Sequence, residues 1–201
     1  MSKVLYIKAN AKPEGASRTF QISDSFIESY KELHPDDEII TLDLYKEGIR
    51  LLSEEDINVV FGPKTEESKN HPILKYSYQF FDADKYVIAE PLWNLGIPAI
   101  LKAYIDYISI TGITFRYTEQ GPVGMCTNKK AVNITSRGGD YSHGPAATFE
   151  MGDRYLRTIF GFLGITNFTT IAADSLDVIG NDVDAIVGKA ITEARELAKR
   201  F

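Results

Sequence analysis

Lys3-Val4-Leu5-Tyr6-Ile7-Lys8, followed by the loop Ala9 to Ala16 and by Ser17, sets out the first structural unit of the chain. Residues 3–8 are apolar and β-branched enough for a buried strand. Pro13 and Gly15 punctuate the loop, and Ser17 is a good helix N-cap. Ile22, Phe26, Ile27, Tyr30 and Leu33 then recur at helical spacing up to Pro35. No Glu or Gln stands three residues after Ser17, so the fuller capping box is missing.

The same alternation runs outward to the C-terminus. Glu38 to Leu42 reads as the second strand. Residues 53–84 are mostly helical, with breaks at Gly62-Pro63 and His71-Pro72. Lys85 to Glu90 is the third strand, and Pro91 with Asn94-Leu95-Gly96 ends it. Pro98 suits the first position of a helix whose apolar face is Ile97, Leu101, Tyr104, Ile105 and Ile108. Thr114 to Thr118 and Gly121 to Gly124 suggest a short extended excursion. Lys130 to Thr135 is the fourth strand, residues 148–163 a helix, and Phe168 to Ala172 the fifth strand. The last helix starts near Asp182 with a clean amphipathic pattern. Strand and helix alternate five times, which demands parallel strands with helices on both faces. Five strands fit the order 2-1-3-4-5 better than the six-strand dinucleotide fold. The expectation is an α/β, three-layer flavodoxin-like fold, with one domain over residues 1–201.

Composition narrows the partners. A net charge of −6 and a pI of about 5.1 argue against a broad phosphate-neutralising surface, so no nucleic acid is expected. One phosphate can still sit at a helix N-terminus. The longest apolar runs fall far short of the roughly 20 residues of a membrane span, and the opening run is too short for a secretory signal. The single cysteine, Cys126, forms no internal disulfide, which fits a cytoplasmic protein. His34, His71 and His143 show no metal-ligand spacing, so no metal is expected.

In the order 2-1-3-4-5, strands 1, 3 and 4 are neighbours, and their C-terminal loops meet where such sheets bind ligands. The unusual loop chemistry lies there: Gly15-Ala16-Ser17-Arg18-Thr19, Pro91-Leu92-Trp93-Asn94-Leu95-Gly96, and Ser136-Arg137-Gly138-Gly139 running on to Pro145. The first offers hydroxyls and a helix N-terminus for a phosphate; the plainer reading makes Ser17 a cap only. Neither the P-loop pattern nor G-x-G-x-x-G is present, which disfavours ATP hydrolysis and NAD held in Rossmann fashion. Trp93 either walls a planar ligand or packs at a strand end. The paired glycines permit close backbone approach, or form an ordinary turn.

These segments resemble the FMN-dependent NADH-azoreductases, relatives of the NAD(P)H:quinone oxidoreductases. The resemblance covers nearly the whole chain and is most specific at Phe115 to Pro122 and at Ser136-Arg137-Gly138-Gly139. It implies bound FMN, with phosphate contacts at Ser17, Arg18 and Thr19, and isoalloxazine and ribityl contacts over the 91–95 segment: Pro91, Leu92, Trp93, Asn94 and Leu95. It implies contacts to the pyrimidine end from Ser136, Arg137, Gly138 and Gly139. Many members carry serine directly after the first strand; this chain has Ala9-Asn10, so a hydroxyl contact is lost or Asn10 substitutes for it. The segment from Asp56 to Pro72 matches poorly, so substrate choice does not carry over. Members are homodimers with the flavin near the subunit interface, which makes Tyr117 and Phe162 candidates for the substrate face.

The resemblance further implies that NADH reduces the flavin and leaves, and that a quinone or azo compound then takes the electron pair, a ping-pong scheme. Backbone N–H groups of Gly138 and Gly139 suit the charge that grows on the reduced ring. Tyr141 and His143 lie on the same loop and are candidate proton donors, against the plainer reading of exposed loop residues. A non-enzymatic flavodoxin-like electron carrier is the chief rival. A phosphoacceptor receiver domain is disfavoured by Lys8-Ala9-Asn10, where an acidic cluster would be needed. A flavin-free structural relative is the remaining alternative.

Overall fold

The structure, a computed structural model, describes residues 1–13 and 15–201. Five parallel strands form its main sheet: β1 (Lys3–Lys8), β2 (Glu38–Asp43), β3 (Lys85–Pro91), β6 (Lys130–Ser136) and β7 (Asn167–Ala173). Their spatial order is β2-β1-β3-β6-β7, which is 2-1-3-4-5 once a separate hairpin is set aside. That hairpin, β4 (Phe115–Thr118) with β5 (Gly121–Gly124), is the extended excursion, paired antiparallel.

Because side chains alternate across a strand, each strand feeds two cores. On β1, Val4 and Tyr6 face one core while Leu5 and Ile7 face the other. The first core is closed by α1 (Arg18–Leu33) and α6 (Val183–Ala198), through Phe20, Phe26, Tyr30, Val187 and Ala194. The second is closed by α2 (Glu54–Phe61), α3 (Leu74–Asp82), α4 (Ala99–Ile108) and α5 (Gly152–Phe162), through Val60, Phe80, Leu101, Tyr104 and Phe160. Burying each large apolar side chain contributes about 1.5–3 kcal/mol.

Two helix starts differ from the sequence expectation. Pro98 is the N-cap of α4, with φ −55° and ψ 142°, one position earlier than expected. The helix expected over residues 148–163 begins only at Gly152, after a 3-10 turn at Pro145–Phe149. Glu150 causes the delay. Its backbone is extended, and its carboxylate accepts the free N–H groups of Gly152 (3.0 Å), Asp153 (2.8 Å) and Arg154 (3.2 Å), capping the helix from outside. Among the described residues, no helix is long and apolar enough to cross a membrane.

Candidate active site

The C-terminal ends of β1, β3 and β6 open into one cleft. It is lined by Asn10, Lys12 and Arg18 at one end and by Pro91, Leu92 and Trp93 along its length. Ser136, Arg137, Gly138, Leu176 and Asp177 complete it. The three loops singled out in the sequence therefore converge.

At the first end, Ser17 caps α1 by accepting the Phe20 N–H at 3.1 Å. It also accepts the Asn10 amide at 2.9 Å, so both lone pairs are taken and its own proton remains to be given. Asn10 in turn accepts the Lys12 N–H at 3.0 Å and so shapes the turn that follows β1. Thr19 is buried, and its hydroxyl pairs with Ser136 at 2.6 Å, tying α1 to the end of β6. The backbone N–H groups of Arg18 and Thr19 in the first helical turn meet no acceptor among the described residues. With the Lys12 and Arg18 side chains beside them, they form a small anion cradle in an acidic chain. Arg18 also reaches across the cleft to Asp177 Oδ1 (2.8 Å) and the Leu176 carbonyl (3.2 Å).

The second loop is a tight turn. Trp93 and Gly96 exchange backbone hydrogen bonds of 2.9 and 3.0 Å, and Asn94 and Leu95 between them have φ of 50° and 68°. A leucine in the left-handed region costs about 1–2 kcal/mol. The Leu95 carbonyl accepts the Met151 N–H at 2.9 Å, which anchors the strained turn to the start of α5. Trp93 is 37% exposed and lines the cleft, so its indole is a wall rather than a core residue.

The third loop is held by its carbonyls. Arg137, Gly138 and Gly139 accept from Leu176 (3.1 Å), Asp177 (2.9 Å) and Ser175 (3.0 Å). The N–H groups of Gly138 and Gly139, like those of Asn94 and Leu95, meet no acceptor among the described residues. Two facing loops with unused donors, a tryptophan wall and an anion cradle at one end suit a planar heterocycle carrying a phosphate. These residues fit FMN.

Other expected residues fall elsewhere. Asp140 Oδ1 accepts the N–H groups of Ser142 (3.2 Å) and His143 (3.1 Å), which turns the chain toward the sheet edge. Tyr141 and His143 consequently line a neighbouring cavity, with Glu193 of α6 and Thr170 of β7, instead of the cleft. Tyr117 and Phe162 pack on either side of Phe115, with ring centroids at 5.5 and 4.9 Å. They are exposed, and neither lines the cleft.

Sequence reasoning missed a buried polar cluster behind the cleft. Glu90, Asn133 and Thr135 lie on the α5 side of β3 and β6, and Glu90 and Thr135 are register partners. Asn133 donates to Glu90 Oε1 at 3.4 Å and to Asp153 at 3.1 Å. Burial pushes the Glu90 carboxyl up to about 7, against the pull of Thr135, Asn133 and Arg137. A carboxylate inside the run Tyr86-Val87-Ile88-Ala89-Glu90 was the available signal.

The sheet order and the cleft at its switch point define a flavodoxin-like α/β protein. The family described as having the flavodoxin-like fold matches residues 2–198, and the chain belongs to that family, among its FMN-dependent NADH:quinone oxidoreductases and azoreductases. One relative, the FMN-dependent NADH:quinone oxidoreductase 2 of Clostridium acetobutylicum, is 69% identical over 201 residues and all of both chains. Among solved structures, an azoreductase of Bacillus anthracis superposes with a TM-score of 0.90 at 39% identity, covering all of both chains. An FMN-dependent NADH-azoreductase of the same species, in complex with FMN, gives 0.88 at 30% identity, covering 100% of this chain and 99% of that one.

Proposed function

We propose that this protein binds FMN in the cleft and uses it to pass two electrons from NADH to quinones, with azo compounds as further acceptors. The observation that carries the reading is that the two loops reaching the cleft through Trp93 and Gly138 carry four backbone donors, at Asn94, Leu95, Gly138 and Gly139, that meet no acceptor among the described residues. The names of the relatives support the same chemistry.

When bound, FMN supplies the two-electron chemistry between NADH and the acceptor. The chain supplies the rest. Lys12, Arg18 and the first-turn N–H groups hold the phosphate. Trp93 walls the ring. The Gly138 and Gly139 N–H groups, held in place by the carbonyl contacts of their loop, would stabilise the negative charge that FMN gains on reduction. NADH and the acceptor use one open face in turn, which gives ping-pong kinetics. A second copy of the chain covers that face with its exposed Tyr117 and Phe162, which pack on the buried Phe115, and the working form is a homodimer. The cytoplasm suits a buried free thiol at Cys126.

The test is an anaerobic titration of the FMN-loaded protein. NADH should bleach the flavin bands and a quinone should restore them, with parallel initial-rate lines in steady state. Flavin that binds without being bleached would make the protein an electron carrier. Intersecting lines would overturn the ping-pong scheme.

A further inference from the structure

Arg137 follows β6 directly, and the resemblance makes it a flavin contact. The residue does line the cleft. Its side chain goes the other way and is only 5% exposed. The guanidinium sits between carboxylates from two other segments, with Nη2 3.5 Å from Glu150 Oε1 and Nη1 3.6 Å from Asp174 Oδ1. Nη1 also donates to Ser142 Oγ at 3.3 Å, and Nε has no acceptor among the described residues.

Both carboxylates already have other tasks. Glu150 caps α5 by accepting from three of its N–H groups. Asp174 accepts the Tyr141 N–H at 3.4 Å and the Ser142 hydroxyl. Arg137 is thus the cation shared by the cap of α5 and the loop after β7. The same residue's N–H binds the Ala173 carbonyl at 2.8 Å, and its carbonyl accepts from Leu176. The Gly138–Gly139 donor pair begins at the next residue. A buried charge so close to these donors is weakly screened by solvent.

We propose that Arg137 is a positioning residue that tunes the reduction potential of the bound flavin from behind the cleft, without touching it, through its buried bridge between Glu150 and Asp174. The bridge fixes the Gly138–Gly139 N–H pair, and its positive charge offsets the carboxylates around it. Both effects favour reduced FMN, which carries more negative charge, over oxidised FMN. This rests on the FMN reading above.

The test measures the midpoint potential of bound FMN, together with FMN affinity for the apoprotein by flavin fluorescence, in wild type, Arg137→Met, Arg137→Lys and Asp174→Asn. Arg137→Met should weaken reduced FMN about tenfold more than oxidised FMN, a potential about 30 mV more negative. Arg137→Lys keeps the charge and should recover most of that shift. Asp174→Asn removes an anion from the same bridge and should move the potential the other way. Potentials that stay at the wild-type value in folded, FMN-loaded variants would overturn the proposal, as would equal shifts in Arg137→Met and Arg137→Lys. If Arg137→Met does not fold, Asp174→Asn decides alone: a positive shift supports the proposal and no shift overturns it. Failure of wild-type apoprotein to bind FMN would instead overturn the reading on which the proposal rests.

Discussion

The Asp177 carboxylate fills the space beside Gly138: a Cβ on that glycine would stand 2.7 Å from Asp177 Oδ2. The backbone holds the two together through the Asp177 N–H and the Gly138 carbonyl at 2.9 Å. Asp177 also receives Arg18 from the far side of the cleft. A glycine, an aspartate and an arginine from three separate segments thereby define the mouth of one site.

Gly138→Ala is therefore a test of the mouth. The obstructing atom is the end of an exposed side chain, so Asp177 can swing aside at little cost to the fold. The melting temperature should stay within about 2 °C of wild type. FMN affinity should fall about tenfold, or about 1.4 kcal/mol, as the methyl group and the displaced carboxylate crowd the cleft. Unchanged FMN affinity in a titration of the apoprotein would remove this glycine from the site.

Arg18→Ala separates phosphate from ring recognition. Loss of a charge-assisted hydrogen bond should weaken FMN about tenfold or more. Riboflavin, which lacks the phosphate, should bind mutant and wild type alike. Equal losses for both ligands would mean that Arg18 acts only by holding Asp177.

Leu95→Gly addresses strain. Leu95 has φ 68° and is partly exposed, so glycine relieves the left-handed penalty while deleting little buried surface. The apoprotein should gain about 1 kcal/mol, or about 2–4 °C in melting temperature. The looser turn should hold FMN less tightly. A drop in the melting temperature would show that the leucine side chain outweighs the strain.

Glu90→Gln tests the buried carboxylate. In the fold it titrates near 7, against an ordinary 4.5, so the native state holds an extra proton between those values. Stability therefore falls as pH rises through that window and levels off above it. Asp37, held low by the Ser2 N–H and the Tyr30 hydroxyl, and Asp56, held low by Arg50 and the Ser53 N–H, act oppositely, losing stability as pH falls. The difference between mutant and wild type isolates Glu90 from them. That difference in melting temperature should favour the mutant increasingly from about pH 5 to about pH 8. A constant difference would mean that Glu90 stays in one protonation state throughout.

The sequence by itself determined the alternation of strands and helices, because apolar periodicity and the Gly and Pro breaks are local signals. The cap at Ser17, the breaks at Gly62-Pro63 and His71-Pro72, and the extended excursion after Thr114 were legible for that reason, while its pairing into a hairpin was not. It also marked the three loops that form the cleft, since parallel order places the ends of β1, β3 and β6 side by side. Only the tertiary structure decided which way each loop side chain turns. Arg137 leaves the cleft because Glu150 and Asp174, remote in sequence, offer it a buried counter-charge. His143 leaves because Asp140 closes a turn beneath it. Glu90 becomes a proton-holding group because α5 and β6 bury it, and Leu95 is strained because Met151 anchors its turn. Periodicity reports which residues are apolar. Where a polar side chain finds its partner depends on chain segments that only folding brings together.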